Sequence, residues 1–97
     1  MKQKFGNAST TALAVFKAES GLIPNRVNAA NKDGSIDRGI AQINSIHCPR
    51  VEKLYKESCE TALFDAKTNI DFAYIKYVEE GFQPWVAYWN GAYKRML

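Results

Sequence analysis

Only one histidine and two cysteines occur in the 97 residues. A histidine- or thiolate-based metal centre needs three or four ligands at close spacing, so no metal site is expected. Six glycines and three prolines are too few for a collagen-like or low-complexity chain. No apolar run reaches the roughly 18–20 residues of a membrane span. The densest stretch, Ala12 to Phe16, is interrupted by Lys17. No hydrophobic segment follows Met1-Lys2-Gln3-Lys4-Phe5-Gly6, so no signal peptide is read there and the chain looks like a mature form or an excised domain. Neither sign of charge accumulates. The net charge is +3, and Lys2/Lys4, Lys53/Lys56 and Lys94/Arg95 are scattered pairs mixed with acids. A continuous basic face for nucleic acid is therefore missing, although a mildly basic surface suits an anionic polymer.

What is there fits one small globular domain spanning 1–97, with 46% hydrophobic and 24% charged residues. Such a chain buries roughly 60–70% of its unfolded surface, so its core is thin. Five Phe, five Tyr and two Trp supply large burial area per residue. Cys48 and Cys59 can close a small loop worth about 2–3 kcal/mol. A pair of free buried thiols is the other reading.

The pattern is mainly helical, with neither internal repeat nor linker. Asn7 or Ser9 caps a helix to about Ser20, and Gly21 ends it. Its apolar face runs Ala8, Ala12, Val15 and arrives at Glu19. Residues 22–38, with Pro24 and the turn Lys32-Asp33-Gly34-Ser35, read as a loop or small β-hairpin. Gly39 to Ile46 reads as a short helix. Pro49 starts another, with Val51, Leu54 and Tyr55 on one face. Asp65 caps a longer helix, in which Ile70, Ala73, Tyr74, Tyr77 and Val78 keep helical spacing to Gly81. Pro84 opens a last helix with Trp85, Tyr88, Trp89, Ala92 and Met96 facing inward. The expected architecture is mainly α (α+β): four to five helices with a loop or hairpin flanking a cleft.

Glu19 is the first candidate for chemistry. A carboxylate on an apolar helix face is costly to ionise, and the negative end of the helix dipole acts in the same direction. Both favour the protonated form that a general acid needs. A Glu turned out to solvent, or paired with Lys17 or Arg26, is the plainer alternative. Asp33 and Asp37 follow on a turn that can return past the helix end, and paired carboxylates across a sugar are the machinery of glycosidic cleavage. Gln42 and Asn44 can bond a polar ligand or the backbone. His47 beside Cys48 is not expected to act as a dyad, because sequence neighbours rarely point together.

Four blocks carry a resemblance. Glu19-Ser20-Gly21, the stretch Gly34-Ser35-Ile36-Asp37-Arg38-Gly39-Ile40-Ala41-Gln42-Ile43-Asn44-Ser45, Leu63-Phe64-Asp65 with Asn69-Ile70, and Pro84-Trp85-Val86-Ala87-Tyr88-Trp89-Asn90-Gly91 stand in that order. Together they resemble the lysozyme-like superfamily, nearest to the small lytic transglycosylases of type IV secretion and conjugation and their phage relatives. The resemblance implies a lysozyme-like fold, peptidoglycan glycan strands as substrate, and cleavage of the β-1,4 bond between N-acetylmuramic acid and N-acetylglucosamine. It implies Glu19 as catalytic acid and then base, with no cofactor. Residues 33–45 are also similar to animal-type lysozymes, in which the position of Asp37 is a second catalytic carboxylate and the reaction is hydrolysis. That type of enzyme is a standard example of two carboxylates in two roles. A non-catalytic glycan-binding module on the same fold is a third reading.

By the same resemblance Ser20, Gln42, Asn44 and Tyr88 surround the substrate, with Ser20 supporting the glutamate and the Tyr88 hydroxyl orienting its carboxyl. The family pattern Tyr-Asn-x-Gly is replaced by Tyr88-Trp89-Asn90-Gly91. Either Asn90 takes the role of the missing Asn, or Trp89 packs inward or stacks on a sugar. A Cys48–Cys59 disulfide would pin the connecting helix and suit a periplasmic, extracellular or phage-particle setting. A secretion, conjugation or phage machine is the partner that this family suggests.

Overall fold

The structure, a computed structural model, describes residues 2–97. Helix α1 (Lys2–Phe5) passes through a 3-10 turn (Gly6–Ala8) into α2 (Ser9–Ser20). The expected side-chain cap from Asn7 or Ser9 is not used. Ala8 holds the cap position, because the chain enters already coiled and the Ser9 N–H bonds back to the Gly6 carbonyl. Phe5 fixes that entry by packing edge-on against Phe16 and Tyr74. Gly21 ends α2 at φ +68°, donating its N–H to the Lys17 carbonyl at 2.8 Å.

Strands β1 (Val27–Asn28), β2 (Asp37–Arg38) and β3 (Ile43–Asn44) form an antiparallel sheet in that order. Val27 faces Arg38, and Asp37 faces Asn44. The helix expected over Gly39 to Ile46 is therefore a tight connection, β3 and the start of a 3-10 turn (Ser45–His47). The physical reason is local. Gly39 and Gln42 sit at φ +81° and +52°, which no right-handed helix contains. Ala41 and Ile43 are buried, while Gln42 and Asn44 are only partly so, which is the period-two pattern of extended chain.

Helix α3 (Cys48–Tyr55) and the short α4 (Cys59–Phe64) are joined by a disulfide between Cys48 and Cys59. Asp65 caps α5 (Ala66–Glu80) by accepting from the Thr68 N–H. Two residues expected on inward faces point out: Leu54 and Val78 are 49% and 64% exposed. The final inward-facing helix is also cut short. Helix α6 covers only Val86–Trp89, Gly91 at φ +85° breaks it, and a 3-10 turn (Ala92–Met96) follows. Trp85 is buried, but Trp89 is 61% exposed and Met96 faces solvent too.

The core gathers Phe16 and Val15 of α2, Phe72 and Ala73 of α5, Leu63 of α4, Val51 of α3, Ile43 of β3 and Trp85. One polar side chain lies within it. Asn69 of α5 is wholly buried. Its Oδ1 accepts from the Ala41 N–H at 2.8 Å, and its Nδ2 donates to the Arg38 and Leu63 carbonyls at 3.0 and 2.9 Å. Those backbone groups are the Ala41 N–H of the β2–β3 connection, the Arg38 carbonyl of β2 and the Leu63 carbonyl at the end of α4. Gly39 is required by the same contact. A Cβ there would lie 2.1 Å from Asn69 Nδ2 and 2.3 Å from the Leu63 carbonyl oxygen.

Asn69→Ala removes three hydrogen bonds and strands their partners at about 1–3 kcal/mol each. We expect a loss of about 3 kcal/mol or more, seen as a fall in Tm of roughly 12–24 °C in calorimetry. A change of under about 1 kcal/mol would contradict this assignment.

Candidate active site

Glu19 occupies the last turn of α2 and opens onto a cavity of about 260 Å³. Across it stand Asp37 of β2 and the β3 pair Ile43 and Asn44, with Gln42 before them and Asn31 from the β1–β2 loop. His47 and Lys76 are also in the wall. Pro84, Trp85 and Val86 complete it. The helix end and the sheet thus bring the two carboxyl groups to one space.

Burial holds the Glu19 carboxyl above the ordinary glutamate range. The Ala87 backbone N–H, in the first turn of α6, pulls it partly back, and the charge of Asp37 pushes it up again. Among the described residues no ion pair joins Glu19 to Lys17 or Arg26, and its side chain is half-buried. Asp37 has different surroundings. Its Oδ1 accepts from Asn44 Nδ2 at 2.9 Å and its Oδ2 from Asn31 Nδ2 at 3.2 Å. Asn31 is itself fixed by donating to the Ser35 carbonyl at 3.1 Å. Two amide donors fix the orientation of the Asp37 carboxyl.

The remaining sequence candidates divide. Gln42 lines the cavity, its Nε2 donating to the Gly39 and Arg26 carbonyls at 2.9 and 3.2 Å, which leaves its oxygen for a ligand. Asn44 also lines it, but its polar atoms are in use: Nδ2 donates to Asp37 and to Ser35 Oγ, and Oδ1 accepts from the Ile46 N–H. Asn44 therefore acts on Asp37 rather than on a ligand. Ser20 is placed away from the cavity. It is buried, donates to the Ile40 carbonyl at 2.6 Å, and accepts from the Leu22 N–H at 3.1 Å. It ties the end of α2 to the β2–β3 connection, and supports Glu19 only through that.

Tyr88 is not brought to Glu19 either. Its ring stacks on Tyr93 and leans on Phe82, and among the described residues its hydroxyl makes no hydrogen bond to the glutamate. The group that lowers the Glu19 pKa is the backbone N–H of its neighbour Ala87. Trp89 lies outside the cavity and is not packed inward. Asn90 lies outside the cavity, where its Oδ1 accepts from the Ala92 N–H at 2.8 Å, so it does not replace the missing Asn in the cleft. Both are displaced because α6 stops after a single turn.

Asn31, Lys76 and the Ala87 N–H are not among the residues that the sequence points to, and His47, which the sequence offers only beside Cys48, lines the cavity. Asn31 and the turn signal at residues 32–35 belong to one loop, and only the β1–β2 pairing shows that it folds back on Asp37. Burial, reinforced by the charge of Lys76, lowers the His47 pKa and favours the neutral ring. Cys48 is in the disulfide, so no thiol stands beside His47. Among the described residues no group of three or more His, Cys, Asp and Glu is placed to hold a metal.

The model of a protein family described as a lysozyme-like domain matches residues 4–87. The chain belongs to that family. No curated protein and no solved structure matches. At the level of the family, membership implies a peptidoglycan-directed glycosidase or transglycosylase. Among the described residues no helix is long and apolar enough to cross a membrane.

The raised Glu19 pKa makes a stability prediction. Below the ordinary glutamate value of about 4.3 the residue is protonated in folded and unfolded chains alike, and no penalty exists. As the pH rises through the folded-state pKa, the unfolded chain has already ionised and stability is lost. Glu19→Gln cannot ionise. Its stability advantage over the wild type is expected to grow from about pH 4 towards neutrality and then level off, as measured by urea midpoints. A pH-independent difference would show that Glu19 is not desolvated.

Proposed function

We propose that this member of the lysozyme-like domain family cuts the β-1,4 bond between N-acetylmuramic acid and N-acetylglucosamine, as a lytic transglycosylase. The observation that carries the reading is the unequal pair across one cavity: Glu19, desolvated and biased towards its protonated form, and Asp37, held by two amides. Glu19 gives its proton to the departing glycosidic oxygen as the C1–O bond breaks. The carbonyl oxygen of the sugar's own N-acetyl group bonds to C1. Glu19, now a carboxylate, then takes the proton of the 6-hydroxyl, whose oxygen attacks C1 and releases the acetamido oxygen. The product is a 1,6-anhydro-muramic end, and no water is consumed. Asp37 stabilises the positive charge that develops on the ring, and the free oxygen of Gln42 suits the N–H of an acetamido group. A single disulfide supports this route over the more heavily cross-linked animal-type enzymes.

The fixed position of Asp37 favours a second reading. The same geometry lets a lysozyme-type hydrolase use Asp37 as its second carboxylate and water as the acceptor. Either reading has the protein act outside the cytoplasm, in the periplasm, outside the cell or on a phage particle. Its role there is wall remodelling for a secretion, conjugation or phage-entry machine, or lysis.

Mass spectrometry of soluble fragments from purified peptidoglycan separates the two. Muropeptides lighter than their reducing-end equivalents by one water identify the transglycosylase, and water-added ends identify the hydrolase. Glu19→Gln is expected to lower turnover by about 10²–10⁴ or more in either case. Asp37→Asn should keep far more turnover than Glu19→Gln in a transglycosylase, and lose a comparable amount in a hydrolase. No Glu19-dependent release from folded, disulfide-bonded protein would leave only the non-catalytic glycan-binding module. The alkaline limb of the kcat/KM profile should lie above the ordinary glutamate pKa, as the raised value for Glu19 requires.

A further inference from the structure

Cys48 follows His47, which lines the cavity, and is bonded to Cys59. The two ends of that disulfide are unlike. Successive strand residues point to opposite faces. Asp37 of β2 accordingly faces the cavity, while Arg38 turns the other way and donates from Nη1 to Cys48 Sγ at 3.7 Å. Arg38 is half-buried, and among the described residues it makes no ion pair, so its charge meets sulfur rather than a carboxylate. A disulfide sulfur is a weak acceptor. A thiolate in the same place takes a charge-assisted bond. Opening the disulfide thus gives Arg38 a counter-ion on Cys48.

Cys59 has no such partner. It is 5% exposed, its N–H donates to the Glu52 carboxylate at 3.0 Å, and Glu60 follows it. Burial beside carboxylates opposes an anion on that sulfur. Cys48 is only half-buried. The more open sulfur and the sulfur that tolerates charge are therefore the same one. Its route to the cleft is short. The Cys48 N–H donates to the Ser45 carbonyl and closes the 3-10 turn that Asn44 caps. Asn44 Nδ2 in turn holds Asp37 Oδ1 at 2.9 Å. Asp37 thus lies between two residues tied to this sulfur, Arg38 beside it in the strand and Asn44 across the ladder.

We propose that the Cys48–Cys59 bond is a redox switch on Asp37, exchanged at Cys48 with an external cysteine pair. In closing, the Cys48 thiolate attacks the external disulfide and expels one of its sulfurs as thiolate. Cys59 then gives its proton to solvent, and its sulfur attacks Cys48 Sγ and expels the other. Two electrons pass from the chain to the external pair, which leaves as a dithiol. Opening runs the same steps backwards and leaves Cys48 as a thiolate beside Arg38. With the bond open, α3 loses its tie to α4, Arg38 is drawn to the anion, and the support of Asp37 shifts. The exchange chemistry stands apart from the glycosidase reading, and only its effect on turnover rests on that reading.

The test uses the full chain, with glutathione disulfide as the probe. Reduced Cys59→Ser should form a mixed disulfide at Cys48 about tenfold faster, or more, than Cys48→Ser forms one at Cys59, as followed by mass spectrometry. Arg38→Gln should slow the Cys48 reaction at about pH 6 by up to roughly tenfold, and Arg38→Lys should restore it. Equal rates at the two cysteines, or a rate indifferent to Arg38, would overturn the exchange site. Circular dichroism follows the fold of the reduced chain. A reduced chain that does not fold would make the bond a structural staple and overturn the switch. Reduction of the wild type should lower peptidoglycan turnover several-fold, reversibly on reoxidation, and do so much less in Asp37→Asn. A loss of the same proportion in both would overturn the link to Asp37. Independently of turnover, the Asn44 side-chain amide resonances should shift on reduction, and unmoved signals would overturn that link too. A chain that exchanges at Cys48 and shifts Asn44 yet cuts no peptidoglycan in either state would overturn the glycosidase reading alone.

Discussion

The three hydrogen bonds of Asn69 hold the segment on which the cleft is built. The β2–β3 connection lies between the strand ladders, and side chains from other elements satisfy part of its backbone. Asn69 from α5 bonds Arg38 and Ala41, Ser20 from α2 bonds Ile40, and the Trp85 indole N–H donates to the Ala41 carbonyl at 2.8 Å. Three separate elements therefore converge on four consecutive residues. Those elements are also the ones that carry the site. Glu19 precedes Ser20, the Ala87 N–H follows Trp85, and Asp37 precedes Arg38. The core is polar at this place because the cleft needs a common anchor more than it needs another apolar contact.

The same convergence separates the two carboxyl groups electrostatically. Glu19 reaches the cavity from a helix end, and among the described residues the Ala87 backbone N–H is the one donor that lowers its pKa. Asp37 reaches it from a sheet whose neighbouring loop contributes Asn31 and whose third strand contributes Asn44. Unequal environments for paired carboxyl groups are how one site keeps a proton donor and a charge stabiliser apart at a single pH. Asn44 has one further consequence. It also caps the turn over Ser45–His47, so the positioning of Asp37 is coupled to the start of the disulfide-linked pair α3 and α4.

Much of this was legible in the sequence, for local reasons. Glu19 stood out because it interrupts an apolar face at a helix end. The ends of α2 and α5 followed from Gly21, Asp65 and Gly81. The lysozyme-like assignment followed from block order. What failed depended on long-range contacts or on positive φ. Gly39 to Ile46 suits a helix in sequence because its apolar residues fit either period over so short a run. The alternation of Ala41 and Ile43 with Gln42 and Asn44 was the available sign against it. The final helix was extended past Gly91, whose left-handed φ ends it, and that displaced Trp89 and Asn90. Tyr88 was placed by family pattern, whereas its ring is claimed by Phe82 and Tyr93. Asn31 could not be tied to Asp37 without knowing how the loop between β1 and β2 returns.

The contact between Gly39 and Asn69 makes the two positions a single locus under mutation. Any side chain at position 39 meets Asn69 and the Leu63 carbonyl oxygen at impossible distances. Shortening position 69 makes room, yet abandons the backbone groups that Asn69 serves. Neither change is tolerated alone, and each alters the cost of the other, so their effects cannot add. Drift in this chain is thereby channelled: this pair can leave its present state only by a concerted jump that also rebuilds the β2–β3 connection.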